Sequence, residues 1–153
     1  MMDKEIIELG ITEIKTKEAA LTYLASKLAE KGLVTENFTE AILEREKIFP
    51  TGLQLPGYGV AIPHTDTVYV RKPQIAVLTL KDPVSFIQMG TSDTEVAVDV
   101  IIMLAIKEVH KQVDILQKVI HLIQDTQTIG QIRTSLPQDK QTVANLLQQK
   151  IMF

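Results

Sequence analysis

The apolar positions of the chain divide it into helical and extended stretches. Between Lys17 and Lys31, Leu21, Leu24, Ala25 and Leu28 fall at i, i+3, i+4 and i+7, the spacing of one helix face. Thr16 is placed to cap that helix and Gly32 to end it. A second helix is predicted from Thr35 or Asn37 to about Ile48, with Phe38, Ala41 and Ile42 on its inner stripe. Before them, Ile6, Ile7, Leu9 and Ile11 suit a short edge strand or an arm. Val60, Ala61 and Ile62 read as a short buried strand that Pro63, lacking an N–H, stops. Three more strands are predicted, Ile75 to Leu80, Val84 to Ile87 and Val96 to Ala105, with Pro73 and Pro83 as punctuation and a turn at Gly90. Poor alternation in Ile75 to Leu80 suits burial on both faces.

A helix from about Lys111 to Gln124 follows, in which Val113, Leu116, Ile120 and Ile123 make one stripe and Ile115, Val119 and Leu122 widen it. The tail reads as two short helices, Thr128 to Ser135 and Gln138 to Lys150, separated by Pro137, with Val143, Leu146 and Leu147 turned inward. The order helix, helix, several strands, helices predicts an α/β sandwich. Strict β-α-β alternation is absent, so the sheet is expected to be mixed.

At 153 residues the chain has the size of one domain. With 16 basic and 19 acidic side chains, its net charge of −3 leaves no electrostatic footprint for nucleic acid. There is no cysteine, which excludes disulfides, thiolate nucleophiles and cysteine-ligated metals, and a cytoplasmic location is expected. Asp3, Lys4 and Glu5 put charge where a signal peptide needs its apolar stretch, so no export signal is expected. The longest apolar run, Val96 to Ile106, is interrupted by Asp99 and falls well short of the ~20 residues that span a bilayer.

Candidate chemistry centres on Gly59-Val-Ala-Ile-Pro-His64-Thr-Asp66. His64 leaves a strand end on a backbone stiffened by Pro63, where open α/β sheets place reacting groups. From Ile48 to Val70 the only charged side chain is that of Asp66. An imidazole there starts near its ordinary pKa and can act as a neutral nucleophile. Arg45 continues the inner stripe of the second helix; on an apolar face its guanidinium either snorkels to water or finds an anion. His110 lies just past the longest strand, either as a solvated helix-start residue or at the same sheet edge as His64, if the two strands are parallel neighbours. His121 is expected on the solvent side of its helix. One helix carrying His110 and His121 separates them by ~16 Å, so they cannot share a metal, and Asp66 two residues after His64 is too little for a three-histidine zinc site. No phosphate loop, complete dinucleotide fingerprint or serine elbow is present. A strand-end histidine with an arginine, and a second histidine within reach, has the parts that phosphoryl transfer requires.

The segment from Glu44 to His64, with Arg45-Glu46, Pro50-Thr51-Gly52 and Gly59-Val-Ala-Ile-Pro-His64, resembles the enzyme IIA domain of the mannitol/fructose class (type 2) of the bacterial phosphoenolpyruvate-dependent sugar phosphotransferase system. The likeness extends through His110-Lys-Gln112 over nearly the whole chain, as a single domain over 1–153. Phe49-Pro50-Thr51-Gly52-Leu53 is most similar to galactitol-type components. The resemblance implies a five-stranded mixed sheet flanked by helices, with His64 as phosphoryl carrier, Arg45 steadying the phosphohistidine and His110 as a second site histidine. It also implies HPr as donor, a cysteine of a separate enzyme IIB with its membrane IIC component as acceptor, and no nucleotide or metal cofactor. Thr65 departs from the glycine that many members carry after the histidine. Two other functions stand beside sugar uptake. One is a regulatory, nitrogen-related IIA-like protein whose phosphorylation state selects partners; the other is a metal hydrolase using His64, Asp66 and His110.

Overall fold

A computed structural model describes Asp3 and residues 6–151. Met1, Met2, Lys4 and Glu5, which include two of the charges that argue against an export signal, lie outside the described residues, as do Met152 and Phe153. In chain order the elements are β1 (Ile7–Ile11), α1 (Lys17–Glu30), α2 (Phe38–Ile48), β2 (Gly52–Leu55), β3 (Tyr58–Ala61), β4 (Gln74–Ile87), β5 (Glu95–Ala105), α3 (Val109–Gln124), α4 (Thr126–Thr134) and α5 (Lys140–Lys150).

The five strands form one mixed sheet in the order β1-β4-β5-β3-β2. β4 and β5 are antiparallel, as are β2 and β3, while β1 runs parallel to β4 and β3 parallel to β5. Apolar side chains of alternate strand positions feed two cores. One lies under α3, α4 and α5 and takes Val60, Ile62, Val100, Ile102 and Leu104 from the sheet. The other lies under α1 and α2 and takes Ala61, Ile101 and Met103. Burial on both faces explains why the central strands read as unbroken apolar runs. The mixed sheet between helical layers and the edge strand near Ile7 agree with expectation.

Several predicted boundaries change. The two strands expected at Ile75–Leu80 and Val84–Ile87 are one strand, β4. Its register against β5 shifts between Thr79 and Val84, where Lys81, Asp82 and Pro83 are exposed. Proline cannot donate to a ladder, and the strand accommodates it by bulging at that point and resuming. β2 is an additional strand: Gly52-Leu-Gln-Leu55, for which no strand is predicted, pairs along its length with β3. On α2 the buried line is Phe38, Ile42 and Glu46, with Ala41 and Arg45 only half-buried. α3 starts at Val109 and buries Ile115, Val119, Leu122 and Ile123, so Val113 is 58% exposed instead of lying on the inner stripe.

Two glycines set how closely β2 and β3 approach the rest of the sheet. A Cβ on Gly59 would lie 2.1 Å from the Ala97 carbonyl oxygen, and one on Gly52 would lie 2.6 Å from that of Ile87. Neither carbonyl can withdraw without breaking strand pairing. Glycine is required at both positions for the contact itself.

Candidate functional site

Because β3 and β5 are parallel neighbours, the segments that follow them leave the same edge of the sheet. Pro63 does not end the ladder as expected. Its carbonyl accepts from Leu104 N–H at 2.9 Å, and His64 makes an isolated parallel bridge to Leu104. Proline lacks only the donor; its acceptor remains available. On the other side, Ile62 N–H donates to the Thr51 carbonyl at 3.2 Å. The backbone of residues 62–64 is thus tied to both neighbouring strands before the chain turns away.

The His64 ring is half-buried, and its Nδ1 lies 2.9 Å from the Ile62 carbonyl oxygen. A carbonyl only accepts, so Nδ1 carries the hydrogen and Nε2 the lone pair. Burial lowers the His64 pKa below its ordinary value and the Arg45 guanidinium lowers it further; the bond to Ile62 opposes them in part. The imidazole is therefore neutral around pH 7, with its free lone pair on Nε2.

Arg45 stands in the last turn of α2. Its Nη1 lies 4.0 Å from Asp66 Oδ1, and its guanidinium carbon lies 4.9 Å from the centre of the Phe49 ring. Its Nε is buried and takes no hydrogen-bond partner among the described residues. Simple snorkelling leaves the guanidinium nitrogens in water, whereas here one donor is held out of it, in the electrostatic neighbourhood of His64.

Thr65, next along, is buried, and its carbonyl accepts from Gln112 Nε2 at 3.0 Å. This bond ties the first turns of α3 to the His64 loop. His110 lies on the same turn, but its side chain is 79% exposed, with Nε2 3.2 Å from Glu108 Oε2. The structure therefore places His110 on the predicted edge, beside a segment bonded to the His64 loop, and turns its ring to a surface carboxylate. His121 is exposed, as expected. Among the described residues no group of three or more His, Asp or Glu side chains is placed to hold a metal ion, so His64, Asp66 and His110 do not constitute a ligand set.

Two residues near the site have contacts that the sequence pattern does not predict. Glu46 is 4% exposed; its Oε2 accepts from Thr51 N–H at 2.7 Å and its Oε1 from Thr51 Oγ1 at 2.8 Å. Burial pushes its pKa up against those two bonds and against Lys17 and Arg45. The available signal was a carboxylate at i+4 and i+8 from the buried Ile42 and Phe38, an expensive position unless donors meet it. Gln112 is the other, and helical periodicity carried no sign of its bond to Thr65.

Six large apolar side chains are strongly exposed among the described residues. Five of them, Ile48, Phe49, Val68, Val109 and Val113, belong to the segments that adjoin His64.

A neutral, half-buried imidazole beside a guanidinium at the edge of an α/β sheet has the parts with which to handle a small anionic group. The chain belongs to the EIIA 2 family of the phosphoenolpyruvate-dependent sugar phosphotransferase system, whose model matches residues 1–150, and is accordingly a phosphotransferase component, a phosphoryl carrier. It is 29% identical over 116 residues to the galactitol-specific EIIA component of Escherichia coli (strain K12), a match spanning 76% of each chain. The fold superposes on IIA mannitol from Escherichia coli with a TM-score of 0.76 at 23% identity, covering 96% of this chain and 99% of that one. It also superposes on the complex of enzyme IIAMTL and phosphorylated enzyme IIBMTL from Escherichia coli, with a TM-score of 0.74 at 25% identity over 96% of both chains. No helix among the described residues is long and apolar enough to cross a membrane.

Proposed function

We propose that His64 accepts a phosphoryl group from HPr and passes it to a cysteine of a separate enzyme IIB, during uptake of a sugar or sugar alcohol of the galactitol type. The observation that carries this reading is the fixed tautomer of His64, with Nδ1–H on the Ile62 carbonyl and the lone pair on Nε2. Nε2 attacks phosphorus, a P–N bond forms, and the bond between phosphorus and the donor breaks with its electron pair leaving on the donor. Onward transfer reverses the roles: the IIB thiolate attacks, and the Nε2 lone pair is restored. No proton need leave the ring in either step, because Nδ1–H stays on Ile62. Arg45, whose side chain is one-third exposed, holds the equatorial oxygens, whose charge persists through the transition state, through its guanidinium.

His110 is an auxiliary group at the rim of the site, and the apolar side chains around His64 are the docking surface for HPr and IIB. The solved complex with phosphorylated enzyme IIBMTL supports such a IIB partner. The membrane IIC component determines the sugar, and the site of action is the cytoplasm. Intact-mass analysis after incubation with phosphoenolpyruvate, enzyme I and HPr tests the reading. One acid-labile phosphoryl group is expected on the wild-type chain and none on His64→Ala. A wild-type chain left unmodified by charged HPr overturns it.

A further inference from the structure

We propose that Glu46 is a positioning residue for His64, acting through Thr51 and Ile62. The connection is continuous. The Glu46 carboxyl takes Thr51 N–H at 2.7 Å and Thr51 Oγ1–H at 2.8 Å; the Thr51 carbonyl takes Ile62 N–H at 3.2 Å; the Ile62 carbonyl takes His64 Nδ1–H at 2.9 Å. Each link is backbone or buried side chain: Glu46 is 4% exposed, Thr51 2% and Ile62 fully buried. The inference rests on the reading of His64 as phosphoryl acceptor and names what holds that acceptor in its reactive tautomer.

The energetics favour a positional role over a stabilising one. A carboxyl out of water is costly, and an apolar side chain of similar volume at a helix end often does better for stability. Glu46 stands where it fixes the crossing from α2 into β2 and so refers the backbone of the Arg45 helix turn to the strand that carries His64. Removing the carboxyl leaves the Thr51 N–H and hydroxyl buried without acceptors, a state that drives local rearrangement. The Thr51 carbonyl then moves, and with it the peptide on which the imidazole is hung. The charged groups that face Glu46 are Lys17 of α1 and Arg45 of its own helix, and the one that acts on His64 is Arg45.

The test compares Glu46→Ala with Glu46→Gln in the full chain. The amide side chain of the second variant keeps an acceptor for Thr51 N–H and offers its NH2 group to the hydroxyl oxygen. Two readouts are taken: the tautomer and titration of the His64 ring by nitrogen-15 NMR, and the single-turnover rate of phosphorylation by phospho-HPr. Glu46→Ala should lose the fixed Nδ1–H tautomer, lower the His64 pKa still further below its ordinary value because the bond to the Ile62 carbonyl no longer supports the charged ring, and slow phosphorylation roughly 10- to 100-fold. Glu46→Gln should restore the tautomer and most of the rate. A folded Glu46→Ala with the wild-type His64 tautomer and titration overturns the proposal, even if its transfer is slow. Should Glu46→Ala fail to fold, Thr51→Val removes the hydroxyl alone, and an unchanged His64 ring in that variant overturns the proposal equally. The ring measurements need no phosphoryl donor, so they judge Glu46 separately from the reading of His64 as carrier.

Discussion

His64 and His110 leave the same edge of the sheet, one after β3 and the other after β5, and the protein treats them oppositely. His64 is half-buried, hung by Nδ1 on a backbone carbonyl, flanked by a ladder on each side and held neutral by burial and by Arg45. His110 stands in the first turn of a helix with four-fifths of its side chain in solvent and Glu108 as neighbour. The first environment ties the ring to the backbone and fixes a tautomer and a direction; the second ties it only to a surface side chain. Sequence position at a sheet edge is thus only the first requirement for chemistry. The second is a backbone that determines which nitrogen carries the proton.

Removing the cation that serves only one of the two histidines should have the largest effect on the contrast. Arg45→Ala should slow acceptance from phospho-HPr by roughly 100-fold, the scale of losing one preorganised charge donor, with an unchanged circular dichroism spectrum. An unaltered single-turnover rate would remove Arg45 from the site. Gly59→Ala should act through the strand. Its methyl meets the Ala97 carbonyl, so β3 must part from β5, at a cost of about 3 kcal/mol in denaturant unfolding. Backbone shifts should concentrate at His64 and spare His110, and a variant as stable as the parent would break the account of the close approach.

The third prediction is a pH dependence. The folded pKa of His64 lies below its unfolded value of ~6.5, so the unfolded chain takes up this proton first. The stability gained from keeping the ring neutral is full above pH ~6.5 and is lost as pH falls through the folded pKa. His64→Ala should therefore flatten the acid side of the stability profile. Acceptance of phosphate should likewise fall as the pH drops, with its midpoint below ~6.5; a midpoint above that value contradicts the buried, arginine-flanked ring. The smallest effect belongs to the exposed partner. His110→Ala should still be charged at His64 at the parental rate and should pass the group to IIB only about threefold more slowly. A large loss in the charging step would erase the distinction between the two residues.

Much of this arrangement was legible in the chain. The period of Leu21, Leu24, Ala25 and Leu28 gave α1 within a residue at each end, and the apolar run from Val96 marked the central strand β5, although the longest strand is β4, whose 14 residues exceed the 11 of β5. The Gly-Val-Ala-Ile-Pro-His stretch placed His64 at a strand end. What local pattern does not carry is a partner that is far away in sequence or is backbone. Pro83 looked like a break because the bulge that absorbs it depends on β5. Glu46 carries no signal of its own beside Arg45, since nothing in a helical period shows that Thr51 will bring two donors to a carboxylate. Gln112 is bonded to a carbonyl 47 residues earlier, a distance over which no local pattern carries information.

The linear chain was enough for the layered α/β plan, for the absence of cysteine chemistry, and for the three residues, His64, Arg45 and His110, around which a phosphoryl site was to be sought. These follow from composition and short-range periodicity, which are properties of neighbouring positions. It took the assembled fold to establish that β3 and β5 run side by side, that His64 holds its proton on Nδ1, and that His110 faces water. Each of those depends on one group meeting another that is distant in the chain, and the direction of such a contact is set by packing alone.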